Sequence, residues 1–500
     1  MAEFSLTGIA SRPSLEILED MFAVRLTRYK QLADELAASI RSGALRPGDR
    51  LPSVRDLRRQ RGVSPSTIFQ AYAQLELQGL VEARVRSGYF VRARHHLTRL
   101  PPDAALPNGR ITPVAISELV FELLGSTRDV DVVPLGSAFP AAQLFPFEEL
   151  ARSGARAMRR LGPAQISGAL TAGDESLRAQ IGRRYALNGV PTRGDEIIVT
   201  NGAMEALNLC LQAVTQPGDV VVVESPTFYA ALQALERLHL KAVEVETDPA
   251  EGVRLEALEA LLKQQKVAAC WFMPTFQNPL GALMPNAKKQ ALVQLLARYG
   301  VPLIEDDVYA ELHFGARRPL PAKAFDQEGL VLHCSSFSKS LAPGYRVGWA
   351  AAGRYAKDVE RLKMMTSLAS PIPPQLAIAE YLVQGGFDRH LRHLRGALQT
   401  QHTAARTLIE RCFPKGTRMT EPQGGYFVWL ELPGGVNTLE IHHQAMAQSI
   451  STAPGVLFSA DRRFTRHLRL NLGHPVTPQI KAALKLLGTL AKAQAHRNAQ

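Results

Sequence analysis

Residues 335–349 read Ser335-Ser336-Phe337-Ser338-Lys339-Ser340-Leu341-Ala342-Pro343-Gly344-Tyr345-Arg346-Val347-Gly348-Trp349. Lys339 stands between hydroxyls and ahead of an arginine and a Gly-rich turn. A lysine amine can bond an aldehyde as a Schiff base, while hydroxyls and a guanidinium hold a phosphate. Pyridoxal 5′-phosphate (PLP) carries both groups, so it is the cofactor that such a lysine suits. Ser336, Ser338 and Arg346 would take the phosphate, and arginine offers a bidentate, permanently charged fork that lysine cannot match. A second phosphate contact is available at Thr200-Asn201-Gly202-Ala203-Met204. This segment joins a strand to a helix, and the free N–H groups of a helix start can hold a dianion.

The elements that would carry these residues follow from periodicity. Short apolar runs at 197–200, 220–224, 242–246, 268–273, 303–306 and 331–335 read as buried strands. Helical stretches at 203–215, 228–238, 254–265 and 286–299 lie between them, which predicts an α/β domain with a mostly parallel sheet over 135–374. Ligands bind such sheets at the carboxyl ends of the strands. From about 375 to 495 the pattern changes to long helices, with strands at 424–430 and 467–472, and reads as a small α+β domain.

The first ninety residues have another character. Leu26, Tyr29, Leu32, Leu36 and Ile40 recur at helical spacing within 22–45, and Gly43 ends that helix. Ser53 is a good N-cap for a short helix to Arg61. Gly62-Val63-Ser64 is a tight turn. Ser64 caps a second helix that has Pro65 at its first position, Ile68, Tyr72 and Leu75 facing inward, and Gly79 at its end. Residues 80–84 and 88–91 read as a hairpin with Arg84 and Arg86 near its tip. This is a winged helix-turn-helix over 22–92. A connector punctuated by Pro101, Pro102 and Pro107 follows over 93–134. One short helix is expected within it, near 116–124.

Charge agrees with that division. The formal net charge is +12, and residues 1–100 hold 15 Arg and 1 Lys against 10 Asp and Glu. An excess of this kind favours a polyanionic partner. The four cysteines (Cys210, Cys270, Cys334, Cys412) lack metal or redox spacing, as expected in a reducing compartment. His95 and His96 have no third ligand near them, and no metal is expected. No run of about 18 apolar residues occurs, so a cytoplasmic protein without a membrane partner is expected.

Two resemblances sharpen this reading. Leu51-Pro52-Ser53-Val54-Arg55-Asp56-Leu57 and Gly62-Val63-Ser64-Pro65-Ser66-Thr67 resemble the GntR-type winged helix. The resemblance implies double-stranded DNA as partner, contacted by Arg55, Ser64, Ser66 and Thr67, with Arg86 in the wing. Some members carry arginines where this chain has Pro65 and Phe69, so its sequence readout differs. The segment around Lys339 resembles the PLP-lysine motif of fold-type I aminotransferases, and other words in the chain are similar to class I/II members in the same order.

By that resemblance Phe228 stacks on the pyridine ring, with Tyr229 the lesser candidate. Asn278, in Asn278-Pro279-Leu280-Gly281, donates to the cofactor's O3′. Glu305-Asp306-Asp307-Val308-Tyr309 matches Asp-x-x-Tyr. A buried carboxylate there keeps the ring nitrogen protonated and makes the ring an electron sink, while Tyr309 bonds O3′. Three consecutive acids leave Asp306 and Asp307 both open, and the spacing to Tyr309 favours Asp306. Gly202, Ala203, Met204, Ser336, Ser338 and Arg346 surround the phosphate. Arg469, in His467-Leu468-Arg469-Leu470-Asn471, clamps a substrate carboxylate. One departure stands out: Ser167-Gly168-Ala169-Leu170-Thr171-Ala172-Gly173 lies where many relatives carry Tyr-Gly-x-Pro-x-Gly. Gly168 then stands where a tyrosine would reach the neighbouring subunit.

Nearly the whole chain resembles the MocR regulators, a GntR-like winged helix followed by a fold-type I aminotransferase. The resemblance implies a PLP-dependent regulator of transcription that senses PLP or an amino compound, an amino acid or amine, through Schiff-base chemistry. It also implies a homodimer, often with head-to-tail swapping of the DNA-binding arms. The alternative is a working aminotransferase, amino acid plus 2-oxo acid, that retains a DNA-binding domain. Lys339 would then be the general base, Asp306 and Tyr309 the ring partners and Arg469 the carboxylate clamp.

Overall fold

A computed structural model describes residues 28–46, 48–77, 80–84, 87–91, 101–125, 131–163 and 171–497. Arg86, Gly79, His95, His96, Gly168 and residues 22–27 lie outside the described residues. The chain divides into two compact units, residues 1–95 and 96–500.

In the first unit, helices α1 (Arg28–Arg41), α2 (Val54–Arg61) and α3 (Pro65–Leu77) precede the antiparallel pair β1 (Val81–Arg84) and β2 (Gly88–Val91). The Ser53 hydroxyl accepts the Asp56 N–H at 3.1 Å and starts α2. Gly62 ends it with φ +62°, a left-handed conformation that costs glycine little. Ser64 Oγ accepts the Thr67 N–H at 3.2 Å and starts α3. Leu32, Ala37, Leu57, Ile68, Tyr72 and Leu75 meet Val81 and Val91 in a single small core.

The second unit is built on a nine-stranded sheet in the order β3 (Thr112–Pro113), β6 (Lys241–Asp248), β5 (Val220–Ser225), β8 (Ala269–Phe272), β9 (Leu303–Asp306), β10 (Val331–Ser336), β11 (Gly348–Ala351), β4 (Ile197–Thr200), with β7 (Gly252–Val253) on β6. Strands β6, β5, β8, β9 and β10 run parallel, and β11 is inserted antiparallel between β10 and β4. Helices α4 (Ala203–Val214), α5 (Tyr229–Arg237) and α6 (Asn286–Tyr299) are among the crossovers. Strand β5 reads Val-Val-Val-Val because helices cover both faces of the sheet. Val221, Val222 and Val223 are each fully buried, which stabilises the fold by about 1.5–3 kcal/mol per side chain.

The smaller sheet, β12 (Arg418–Met419), β13 (Phe427–Glu431), β15 (His467–Asn471), β14 (Ala453–Pro454), is antiparallel throughout. Part of the segment expected as a connector lies on this unit. Thr112–Pro113 pairs with β6, the Asp103 N–H donates to Glu431 at 2.9 Å, and Ile116, Val120 and Leu123 enter the main core. Among the described residues no helix is long and apolar enough to cross a membrane.

Candidate active site and nucleic-acid interface

The carboxyl ends of β4, β5, β9 and β10 deliver the site residues, as parallel sheets require. Beyond Ser336, the last residue of β10, the chain turns tightly, with the Leu341 and Ala342 N–H groups donating to Phe337 O at 2.8 and 2.9 Å. Lys339 projects from this turn. Its Nζ donates to Ala138 O at 2.9 Å and lies 3.7 Å from the centre of the Phe139 ring. Burial, with the Arg469 and Arg346 charges adding to it against the pull of Asp306, brings its amine down to about 7. A large share of Lys339 is therefore neutral, and so nucleophilic, near pH 7.

Strand geometry separates the three consecutive acids, because successive side chains point to opposite faces. Glu305 accepts the Ala322 and Lys323 N–H groups at 2.6 and 2.9 Å. Asp307 is paired with Arg318 at 2.8 Å and His333 at 3.0 Å. Burial opposes its ionisation, but Arg318 and His333 outweigh that and hold it below the usual carboxylate range. His333 Nδ1 in turn meets Tyr185 OH at 2.7 Å, and Trp349 Nε1 donates to that hydroxyl at 2.9 Å. Asp306 faces the other way and keeps a buried Oδ1 without a partner. Burial, then the Asp307 charge, pushes its carboxyl up to about 7, with Lys339 pulling against them. Tyr309 is buried edge-on against Tyr426 and Phe427, and burial raises its phenol.

Arg469 is fully buried. Its Nη1 donates to Asn278 Oδ1 at 3.1 Å and its Nη2 to Gly136 O at 2.7 Å. The guanidinium lies over Phe427, 4.3 Å from the ring centre, and its Nε has no partner. Asn278 Nδ2 is also buried and without a partner. A dry cation bonded only to neutral groups attracts an anion strongly. Phe228 caps α5 and packs with Tyr309, Tyr426 and Phe427 in one cluster.

At the far end, Gly202 (φ +83°) starts α4, followed by Ala203 and Met204. A Cβ on Gly202 would collide with the Arg346 guanidinium. Arg346 reaches Ser338 Oγ at 3.3 Å and Asn201 O at 3.4 Å. Helix start, hydroxyl and guanidinium thus converge around one point.

Several participants carry no motif of their own. Ala138 O accepts from both Lys339 and Tyr426 OH, the latter at 2.8 Å. Glu224, at the end of β5, accepts the Met273 N–H at 3.0 Å and Gln277 Nε2 at 3.4 Å. Gln277 Nε2 also donates to Pro226 O at 2.7 Å, and Gln277 Oε1 accepts the Leu280 N–H at 2.8 Å. The loops carrying Phe228 and Asn278 are held together by these bonds. Burial pushes the Glu224 carboxyl up to about 8, and its Oε1 has no partner. A signal existed in the adjacent words Glu224-Ser225-Pro226 and Gln277-Asn278-Pro279: polar residues inside apolar runs.

In the first unit Arg55, Ser64 and Ser66 are exposed and Thr67 is half-buried. Ser64 Oγ lies 2.9 Å from Ser66 Oγ and 2.8 Å from Thr67 Oγ1, so three hydroxyls cluster at the start of α3.

Residues 139–485 match the aminotransferase class I and II family, and residues 28–91 match the gntR family of bacterial regulatory proteins. The chain is 46% identical over 465 residues to the HTH-type transcriptional regulator YdcR of Escherichia coli, covering 93% of this chain and 99% of that one. It is 31% identical to aromatic-amino-acid aminotransferase 1 of Thermococcus litoralis, covering 75% of this chain and 91% of that one. The α-aminoadipate aminotransferase LysN of Thermus thermophilus, solved with N-(5′-phosphopyridoxyl)-L-leucine, superposes with a TM-score of 0.68 at 29% identity. That match covers 77% of this chain and all of LysN. Pyridoxal 5′-phosphate is the cofactor this domain implies. The residues fit it: a low-pKa lysine, an unpartnered Asp306 oxygen, an unpartnered Asn278 amide and a helix start at Gly202 that lets the Arg346 guanidinium approach where a Cβ would block it. With a GntR-family winged helix joined to an aminotransferase class I and II domain, the chain belongs to the MocR type of HTH-type transcriptional regulators.

Proposed function

We propose that the protein is a DNA-binding transcriptional regulator that carries PLP on Lys339 and senses an amino compound bearing a carboxylate. One observation carries this reading: Lys339, Asp306, Asn278 and Arg469 converge with three unsatisfied buried polar atoms in a chain that also holds a GntR-family winged helix. PLP supplies an electrophilic carbon for an amine and an electron-accepting ring. Lys339 Nζ would hold the cofactor, and as a neutral amine it could take or return a proton at the ligand. Asp306 Oδ1 would accept a hydrogen bond from the ring nitrogen and keep it protonated, while Asn278 Nδ2 and Tyr309 OH would bond O3′. Phe228 would cover one ring face. Gly202, Ala203, Met204, Ser336, Ser338 and Arg346 hold the phosphate. Arg469 Nε and Nη groups bind the ligand carboxylate, and Phe427 and Phe458 exclude water from it.

Arg55 and the Ser64, Ser66, Thr67 cluster contact the DNA duplex, and Arg86 adds a further contact. The partner of a second winged helix is a second copy of the chain, in a homodimer with exchanged arms, acting in the cytoplasm. The chain's domains run over 22–92, 135–374 and 375–495, with 93–134 joining the first two. A second reading, a working aminotransferase, is favoured by the presence together of Lys339, Asp306, Tyr309 and Arg469 and by the 31% identity to the T. litoralis enzyme, while Gly168 in place of a tyrosine counts against it. Borohydride reduction of the PLP-loaded protein, followed by peptide mapping, tests the cofactor site. Assay of the same sample for 2-oxo acid release and for salt-dependent DNA binding separates the two readings. DNA binding without turnover supports regulation, and turnover without DNA binding overturns it.

A further inference from the structure

The outward face of α3 is a stripe of four positions, Ser66, Phe69, Gln70 and Ala73, at the i, i+3, i+4, i+7 spacing of one helix side. All four are exposed, while Ile68, Ala71, Tyr72 and Leu75 turn into the core. Phe69 is 53% exposed, the one large hydrophobic side chain left so open among the described residues of this unit. It stands one turn after the hydroxyl cluster at the helix start, in a segment with eleven Lys and Arg against six Asp and Glu over residues 28–91. A basic surface holding an apolar ring beside an amide suits one ligand chemistry. In the DNA major groove thymine presents a C5-methyl group that apolar side chains contact, and adenine presents the N6/N7 pair that a glutamine amide matches.

We infer that Phe69 reads the C5-methyl group of thymine in the major groove, with Gln70 beside it on the same A·T-bearing site. This inference rests on the DNA-binding reading of the first unit and makes it specific. Ser64, Ser66 and Thr67 hold the helix start on phosphates and carry no sequence information. Phe69 supplies discrimination that an arginine at this position would direct to guanine.

The test uses the full-length protein. Binding sites are selected from random-sequence duplexes, and in the best duplex each thymine is replaced in turn by deoxyuridine. That change removes only the methyl group and keeps base pairing. At one thymine or more, wild type should lose about four- to tenfold in affinity, as for a buried methyl group. Phe69→Ala should bind the thymine and deoxyuridine duplexes equally, and Phe69→Leu should keep part of the preference. Both variants should retain the wild-type salt slope and melting temperature, because Phe69 touches neither phosphate nor core. The inference is overturned if Phe69→Ala discriminates as wild type does, if no methyl group matters, or if the substitution alters self-association and leaves DNA affinity unchanged. If no duplex is enriched by the wild-type protein, the DNA-binding reading itself falls, and this inference with it.

Discussion

Replacing Arg469 by alanine should separate amino acids from amines as ligands. The guanidinium is fully buried and, among the described residues, donates only to Asn278 Oδ1 and two main-chain carbonyls, Gly136 O and Ser137 O, leaving its Nε without a partner. A ligand carboxylate there would be a desolvated, charge-assisted partner. Truncating one side of such a pair costs roughly 2–5 kcal/mol, about thirtyfold to several thousandfold in affinity. The variant should still fold, since removing an uncompensated buried charge relieves a desolvation penalty. Spectral titration of the cofactor band with an L-amino acid and with its decarboxylated amine reads the effect. The amino acid should weaken by that factor and the amine by less than about threefold. A second consequence follows from charge: after burial, Arg469 is the strongest influence lowering Lys339. Without it the Lys339 amine should titrate above 7, and PLP uptake by the apoprotein should shift to higher pH, because the neutral amine bonds the aldehyde. Equal losses for amino acid and amine, or an unmoved pH profile, would refute the clamp.

Lys339→Ala should abolish the protein-bound cofactor band and borohydride fixation, and a trapped lysine elsewhere would move the assignment. Arg55→Ala should weaken specific DNA binding by roughly 1–3 kcal/mol if the arginine reads a base, and uniform weakening across sequences would make it a phosphate contact. Wild-type DNA affinity should fall steeply with salt as counterions are released. Glu224→Gln tests the buried carboxyl by melting temperature. The folded pKa, about 8, lies above the unfolded value, so the folded state binds the proton more tightly. Wild-type stability should decline as pH rises from about 4.5 to about 8, the range set by that shift. The glutamine variant should lack this decline, so its advantage should grow between pH 5 and 9, and parallel curves would contradict a raised carboxyl.

Much of this architecture is legible in the chain. Strands buried on both faces carry continuous apolar runs, such as Val220–Val223 of β5, and helix ends carry Ser53, Gly62 and Ser64. Strand β11 is not legible, because Gly348-Trp349-Ala350-Ala351 lacks β-branched residues and follows a motif that reads as a turn. The two-residue strands β3, β7, β12 and β14 are too short for any periodicity. The choice among three adjacent acids needed coordinates: Arg318 and His333 pair with Asp307, and among the described residues no ion pair engages Asp306. The Ala138 carbonyl is a main-chain acceptor brought from 201 residues away, and nothing in its side chain announces that role.

Coupling between the two units is measured most directly by DNA affinity. Full-length wild type and Lys339→Ala are compared on the same selected duplex, with and without a saturating amino acid that changes the cofactor spectrum. A regulator whose ligand binds two states unequally should show a coupling of about 1–3 kcal/mol, roughly five- to 150-fold in DNA affinity, in wild type. In Lys339→Ala the ligand should change nothing. If the amino acid is converted to its 2-oxo acid at enzyme-like rates while wild-type DNA affinity stays constant, the protein is an aminotransferase with a passive DNA-binding domain.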